Sequence, residues 1–209
     1  MRMSEVILAS QSPRRQKILA DMGVTGFRVI PSDYHEVLDE SRDAREVAKE
    51  LALGKARTVA EQYPNAIVIG SDTIVAINGR QMEKPADIDD AREMLVALSQ
   101  DDSSVSTGVA VVQKSAGIEL VDEDTTIVHF KPDNEEVNEA RERYLSSGDW
   151  KDKAGGYGIQ SGAATLITSI EGNYDTVVGL PSQLLSELLA KVGIAAHAIE
   201  ETSPVPRSK

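Results

Sequence analysis

The stretch AIVIGSDTIVAINGR, residues 66–80, decides the fold. Its first five residues are apolar throughout, the mark of a central strand covered on both faces. Residues 73–77 continue as strand to Asn78-Gly79, a strong hairpin signal. Upstream, strands and helices alternate: a short buried strand at 5–8, a helix from Pro13 to about Met22, a strand at 27–30 and a long helix at 44–62. Ser12 caps the first helix, Pro13 suits its first position and Gly23 ends it. Downstream, a helix at 88–98 precedes two longer strands at 104–112 and 119–130, joined near Gly117. Asp133 and Glu136 form a capping-box pattern for a helix to Leu145. A Gly-rich loop at 155–162 leads to a strand at 165–170, and Pro181 opens the last helix. Alternating elements followed by consecutive strands predict an α/β fold with a mixed sheet flanked by helices. The expected division is one domain over residues 1–201 and a flexible tail over 202–209, where Pro204 and Pro206 fall.

The 209 residues are 41% hydrophobic, enough for one compact core. Lys and Arg number 22 against 34 Asp and Glu, and the net charge of -12 disfavours a nucleic-acid polymer or an anionic membrane as partner. The charge is uneven. Residues 1–60 hold ten Lys/Arg and nine Asp/Glu, so the acidity lies in the rest of the chain. With no cysteine there is no thiol nucleophile and no thiolate zinc site, and His35, His129 and His197 lack metal-ligand spacing. No window approaches the roughly 20 apolar residues of a membrane span, and the expectation is a soluble, unprocessed, cytoplasmic protein.

Two places offer chemistry. At Ser10-Gln11-Ser12-Pro13-Arg14-Arg15 a strand end enters a helix start, where free N–H groups and the positive dipole end attract anions. Two cations there oppose the dipole. They are either a solvated pair bridged to carboxylates or a phosphate cradle of guanidinium forks and backbone N–H groups. The pattern is not GxxxxGK[ST], which disfavours a P-loop switch. At Gly70-Ser71-Asp72-Thr73, at the end of the apolar run, Asp72 is either a turn residue or a crevice carboxylate able to hold a cation, orient water or act as a general base. Around them stand Glu36, Lys55, Lys84 before Pro85, and a loop, DKAGGYGIQ at 152–160, whose glycines allow a ligand close to the backbone or simply make turns. Gln160 both donates and accepts, so it can pair with a pyrimidine edge offering N3–H and a carbonyl.

LASQSPRRQKIL from Leu8, GSDTIV from Gly70, EKPAD from Glu83, STGVAVV from Ser106, DKAGGYGIQ from Asp152 and IEGNYDTVVGLP from Ile170 occur in order along most of the chain. Together they resemble the Maf family of nucleoside triphosphate pyrophosphatases, related in fold to the inosine triphosphatases. The resemblance implies two lobes around a central groove. It also implies hydrolysis of a nucleoside triphosphate to a monophosphate and pyrophosphate, with a divalent cation, Mg2+ or Mn2+, as cofactor. By the same resemblance Asp72 is the proton acceptor, Arg14, Thr73 and Gln160 are specificity positions, and Ser10, Arg14, Arg15, Lys55 and Lys84 handle phosphates. Glu36 and Asp72 serve the metal; the family's usual Asp-Glu pair stands here as His35-Glu36.

The set Arg14, Thr73 and Gln160 goes with dTTP and UTP hydrolysis, whereas relatives preferring 7-methylguanosine triphosphate carry Trp, Gln and Glu there. Modified pyrimidine triphosphates fit the same edge. Homodimers are common in the family. The alternative implied by the family's history is a nucleotide-binding regulator of septum formation with little catalysis.

Overall fold

The computed structural model describes residues 5–35, 42–199 and 203–208. Seven strands form one mixed sheet in the order β2-β1-β3-β5-β6-β7, with β4 also on β3. They are β1 (Val6–Leu8), β2 (Arg28–Val29), β3 (Ile67–Ile77), β4 (Arg80–Met82), β5 (Ser103–Gln113), β6 (Ile118–Phe130) and β7 (Ile167–Glu171). The helices are α1 (Pro13–Asp21), α2 (Ala44–Gln62), α3 (Ile88–Leu98), α4 (Glu135–Ser147), α5 (Tyr174–Val178) and α6 (Ser182–Lys191). β1 runs parallel to β2 and β3, and every later pairing is antiparallel. Asn78 and Gly79 both have positive φ, 51° and 77°, and make the tight turn from β3 into β4.

The register divides the sheet into two halves. β1 pairs with β3 only from Ile67 to Ile69, and β4 pairs with it only from Val75 to Ile77. Between them, from Gly70 to Ile74, β3 has a partner strand on the β5 side alone among the described residues. β7 joins the same half as β4, because Val128 of β6 lies opposite both Ile170 and Ser103, and Ser103 lies opposite Ile77. The long strands β3, β5 and β6 thus carry one extension at each end and a waist between.

α2 covers one face of the sheet in two apolar clusters. Ala52, Ala56, Val59 and Ala60 pack on Ile7, Val68, Ala110 and Val112, while Val47, Ala48 and Leu51 pack on Ile74 and Ala76. Alternate side chains of β3, Ile67, Ile69 and Val75, enter the larger core on the opposite face with Leu19, Leu95, Leu145 and Leu189 from four helices.

Three local readings need correction. Asp72 does not end its strand: the ladder with β5 runs unbroken from Val68 to Ile77, and what stops at the waist is β1. The cap of α4 is Asn134, whose side chain accepts from Val137 N at 2.9 Å, while Asp133 is taken by Arg141. The tail is held across residues 203–208. Ile170 N donates to Pro206 O (3.0 Å), Ser208 N donates to Ile170 O (2.9 Å), and Val205 is buried, so this segment docks along β7.

Candidate active site

The two clusters under α2 are separated by a polar gap at the waist. Gly70 and Gly108 let the helix descend there: a Cβ on Gly70 would stand 2.2 Å from Ala52 O, and one on Gly108 2.2 Å from Ala48 O. Either contact lies far inside van der Waals range, so only glycine fits. Gly108 is also directly opposite Asp72 in the ladder. The close approach brings Lys55, one turn beyond Ala52, over the strand. Its Nζ donates to Asp72 Oδ1 at 2.5 Å, with the two side chains only 15% and 11% exposed. Both charges are largely out of water, where an ion pair is strong and an unmatched charge is costly.

On the opposite face of β3, Ser71 and Thr73 meet the start of α1 and the turn after α5. Arg15 Nε donates to Gly179 O (2.8 Å), Nη1 to Ser71 O (2.9 Å) and to Ser10 Oγ (3.3 Å), and Nη2 to Thr73 Oγ1 (3.1 Å). Ser71 Oγ donates to the same Gly179 carbonyl at 2.8 Å. Thr73 Oγ1 lies 2.9 Å from Thr107 Oγ1, and Thr107 donates to Thr176 O at 2.7 Å. Ser10 is nearly buried and accepts from Ser12 N (3.3 Å) as well as from Arg15, so its hydroxyl proton is what it can offer a ligand.

The remaining expected residues fall around this waist in part. Arg14 is half-buried in the first turn of α1, and Asp152 is held below the usual carboxylate range chiefly by its hydrogen bond to Lys153, with Arg14 adding a smaller attraction. The start of α1 therefore stands within electrostatic range of the Gly-rich loop. Lys84 is exposed beside Glu83, whose carbonyl accepts from Gly155 N at 3.0 Å, so the segment that carries Lys84 is tied to the Gly-rich loop. Gln160 is exposed and lies near Tyr174, whose hydroxyl is pushed upward by burial, an effect that Gln160 partly offsets. Tyr157 is not a ligand contact. It is buried edge-on against Phe130, with ring centroids 5.0 Å apart, and anchors the loop from within. Glu36 lies outside the described residues, so the expected second carboxylate is not placed.

Asp72 and Thr73 thus flank the same strand from opposite faces, and the sequence reading had missed Ser71, Thr107, Thr176 and Gly179. All four lie within stretches already singled out, and the period of two along a strand is the signal that puts Ser71 and Thr73 together and away from Asp72. Among the described residues no three His, Cys, Asp or Glu side chains cluster as a ready-made metal cage.

The family model of Maf-like proteins matches residues 5–192. The chain belongs to the Maf family. Similar Maf proteins include the dTTP/UTP pyrophosphatase of Symbiobacterium thermophilum, 44% identical over 91% of this chain and 95% of that protein. The dTTP/UTP pyrophosphatase of Shouchella clausii is 43% identical over 92% and 97%. Among solved structures, a HAM1 protein from Coxiella burnetii aligns with a TM-score of 0.51 over 90% of this chain and all of that one, at 16% identity, a likeness of fold alone. The Maf matches run from β1 through the last helix, so the docked segment 203–208 lies beyond the family model.

Proposed function

We propose that this protein hydrolyses dTTP and UTP, and modified pyrimidine triphosphates, to the monophosphate and pyrophosphate. The observation that carries the reading is the Lys55–Asp72 pair at the waist of the sheet, a shielded carboxylate held by one ammonium on the face opposite the basic start of α1. The relatives' names support the substrate class.

In this mechanism Arg14, Lys55, Lys84 and the hydroxyl of Ser10 hold the triphosphate, all but Lys84 drawn from the charge-balanced first 60 residues. Asp72 orients the attacking water and takes its proton at a carboxylate oxygen as the oxygen approaches the α phosphorus. Lys55 fixes the direction of that carboxylate. Arg14, Thr73 and Gln160 select the base, Gln160 with one donor and one acceptor. A divalent cation is part of the reading: the carboxylates of Asp72 and Glu36 would hold it together with phosphate oxygens and water, an all-oxygen set that would suit Mg2+ or Mn2+. When bound, the cation supplies charge neutralisation for the departing pyrophosphate. No helix among the described residues is long and apolar enough to cross a membrane. Action in the cytoplasm as a homodimer belongs to the same proposal.

The test is incubation of purified protein with dTTP, UTP, CTP, GTP and 7-methyl-GTP in magnesium, with products identified. Monophosphate and pyrophosphate from dTTP and UTP are expected. Diphosphate and phosphate would overturn the cleavage site, and binding without turnover would favour a regulator.

A further inference from the structure

We infer that Arg15 is a positioning residue, the guanidinium that fixes how Thr73 faces the nucleotide, and not a phosphate ligand. This rests on the pyrophosphatase reading above. A guanidinium has five N–H groups and no acceptor. Four hydrogen bonds from Arg15 go to protein acceptors on β3, at the end of β1 and at the turn after α5. One of them occupies part of the open edge of β3 at the waist, Ser71 O receiving from Arg15 where β1 has already ended.

The polarity of the bonds follows from chemistry. Arg15 can only donate, so Thr73 Oγ1 accepts from it. The Thr176 carbonyl can only accept, so Thr107 gives its hydroxyl proton there, and Thr73 must therefore donate to Thr107. Thr176 is itself held by its hydroxyl bond to Asp124. With its proton committed inward, half-buried Thr73 presents to a ligand only a lone pair and a methyl group. An acceptor in that position favours a base edge carrying N3–H, as thymine and uracil do, over cytosine, whose N3 is an acceptor. Gly179 belongs to the device: its φ is 112°, and a Cβ there would stand 3.1 Å from Thr73 Oγ1 and 3.2 Å from Arg15 Nε.

The experiment compares wild type, Arg15→Gln, Arg15→Lys and Thr107→Val for kcat/KM on dTTP and dCTP, and for inhibition by inorganic tripolyphosphate, which has no base. Thr107 is fully buried and cannot reach a nucleotide, and valine keeps its shape. Thr107→Val is expected to lower the dTTP to dCTP preference about tenfold, the equivalent of one hydrogen bond. Arg15→Gln is expected to lower it at least as far while tripolyphosphate inhibition stays within about twofold, because that probe reads phosphate contacts alone. Arg15→Lys should recover part of the preference. If Thr107→Val leaves the preference unmoved, or if Arg15→Gln weakens tripolyphosphate tenfold or more, the inference is overturned; should Arg15→Gln not fold, Thr107→Val decides. A wild type that hydrolyses no triphosphate overturns the function itself, whereas an active wild type with an unmoved preference overturns only the role of Arg15.

Discussion

Lys55 reaches down from α2 to place its ammonium 2.5 Å from Asp72 Oδ1, an approach open to the helix because Gly70 and Gly108 have no side chains. The Asp72 carboxylate is therefore held from the helix, and the helix is placed by the sheet.

Asp72→Asn removes the proton acceptor while keeping the size and one oxygen for Lys55. Pyrophosphate release is expected to fall by about 10²–10⁴, the usual contribution of a general base, with the circular dichroism spectrum unchanged. A variant retaining most of its activity would remove Asp72 from the chemistry.

Gly108→Ala pushes a methyl group into the carbonyl of Ala48 and lifts α2 off the strand. Overpacking of this kind costs about 1–3 kcal/mol. For a chain of this size each kcal/mol lowers Tm by about 2–4 °C. Thermal melts should show that loss, and turnover should drop with it because Lys55 leaves Asp72.

Asp175 is 3% exposed, and its Oδ2 accepts from Ser182 N at the start of α6 at 2.6 Å. Burial, outweighing its bonds to Ser182, raises its carboxyl above the ordinary value of 3.8, and nearby Asp124 acts in the same direction. The folded form then keeps a proton that the unfolded chain has lost, so this group's contribution to stability falls as pH rises from 3.8 through the folded value. Urea melts across that window should show wild type losing stability relative to Asp175→Asn. A gain relative to the variant would reverse the sign and refute the assignment.

Val205→Ala deletes two buried methyl groups from the docked C-terminal segment. A loss of about 1–2 kcal/mol is expected from their transfer alone, and truncation before Ser203 should cost more, since the bonds to Ile170 go with it. Unchanged melting in both would mean the segment does not hold β7.

The helices were the most legible part of the chain. α2 and α3 begin and end where their apolar spacing put them, and the structure adds Asp43 and Asp87 as their caps. The hairpin at Asn78-Gly79 was equally plain, because its backbone demands those residues. The waist was not legible, since where β1 stops is not written in β3. The docking of 203–208 was hidden by two prolines: the segment reads as a loop by itself and depends on Ile170 for its backbone bonds to the sheet. At the site, Asp72 stands in a stretch that the family resemblance marked, and Lys55 at a single position that it implied. The environment of Arg15 could not be read locally, because its acceptor Gly179 is 164 residues away and two adjacent arginines look alike in sequence. The short helix α5, which ends at that glycine, was also overlooked. Its five residues carry too little periodicity to announce a helix.

The interrupted edge of β3 bears on how this protein behaves in crowded solution. An exposed strand edge ordinarily recruits the strands of other molecules. Here the opening from Gly70 to Ile74 is closed at one end by β1 and at the other by β4, and Arg15 fills part of it. An opening of that length gives a foreign strand nothing on which to align, so the interruption itself guards the central strand against edge-to-edge association.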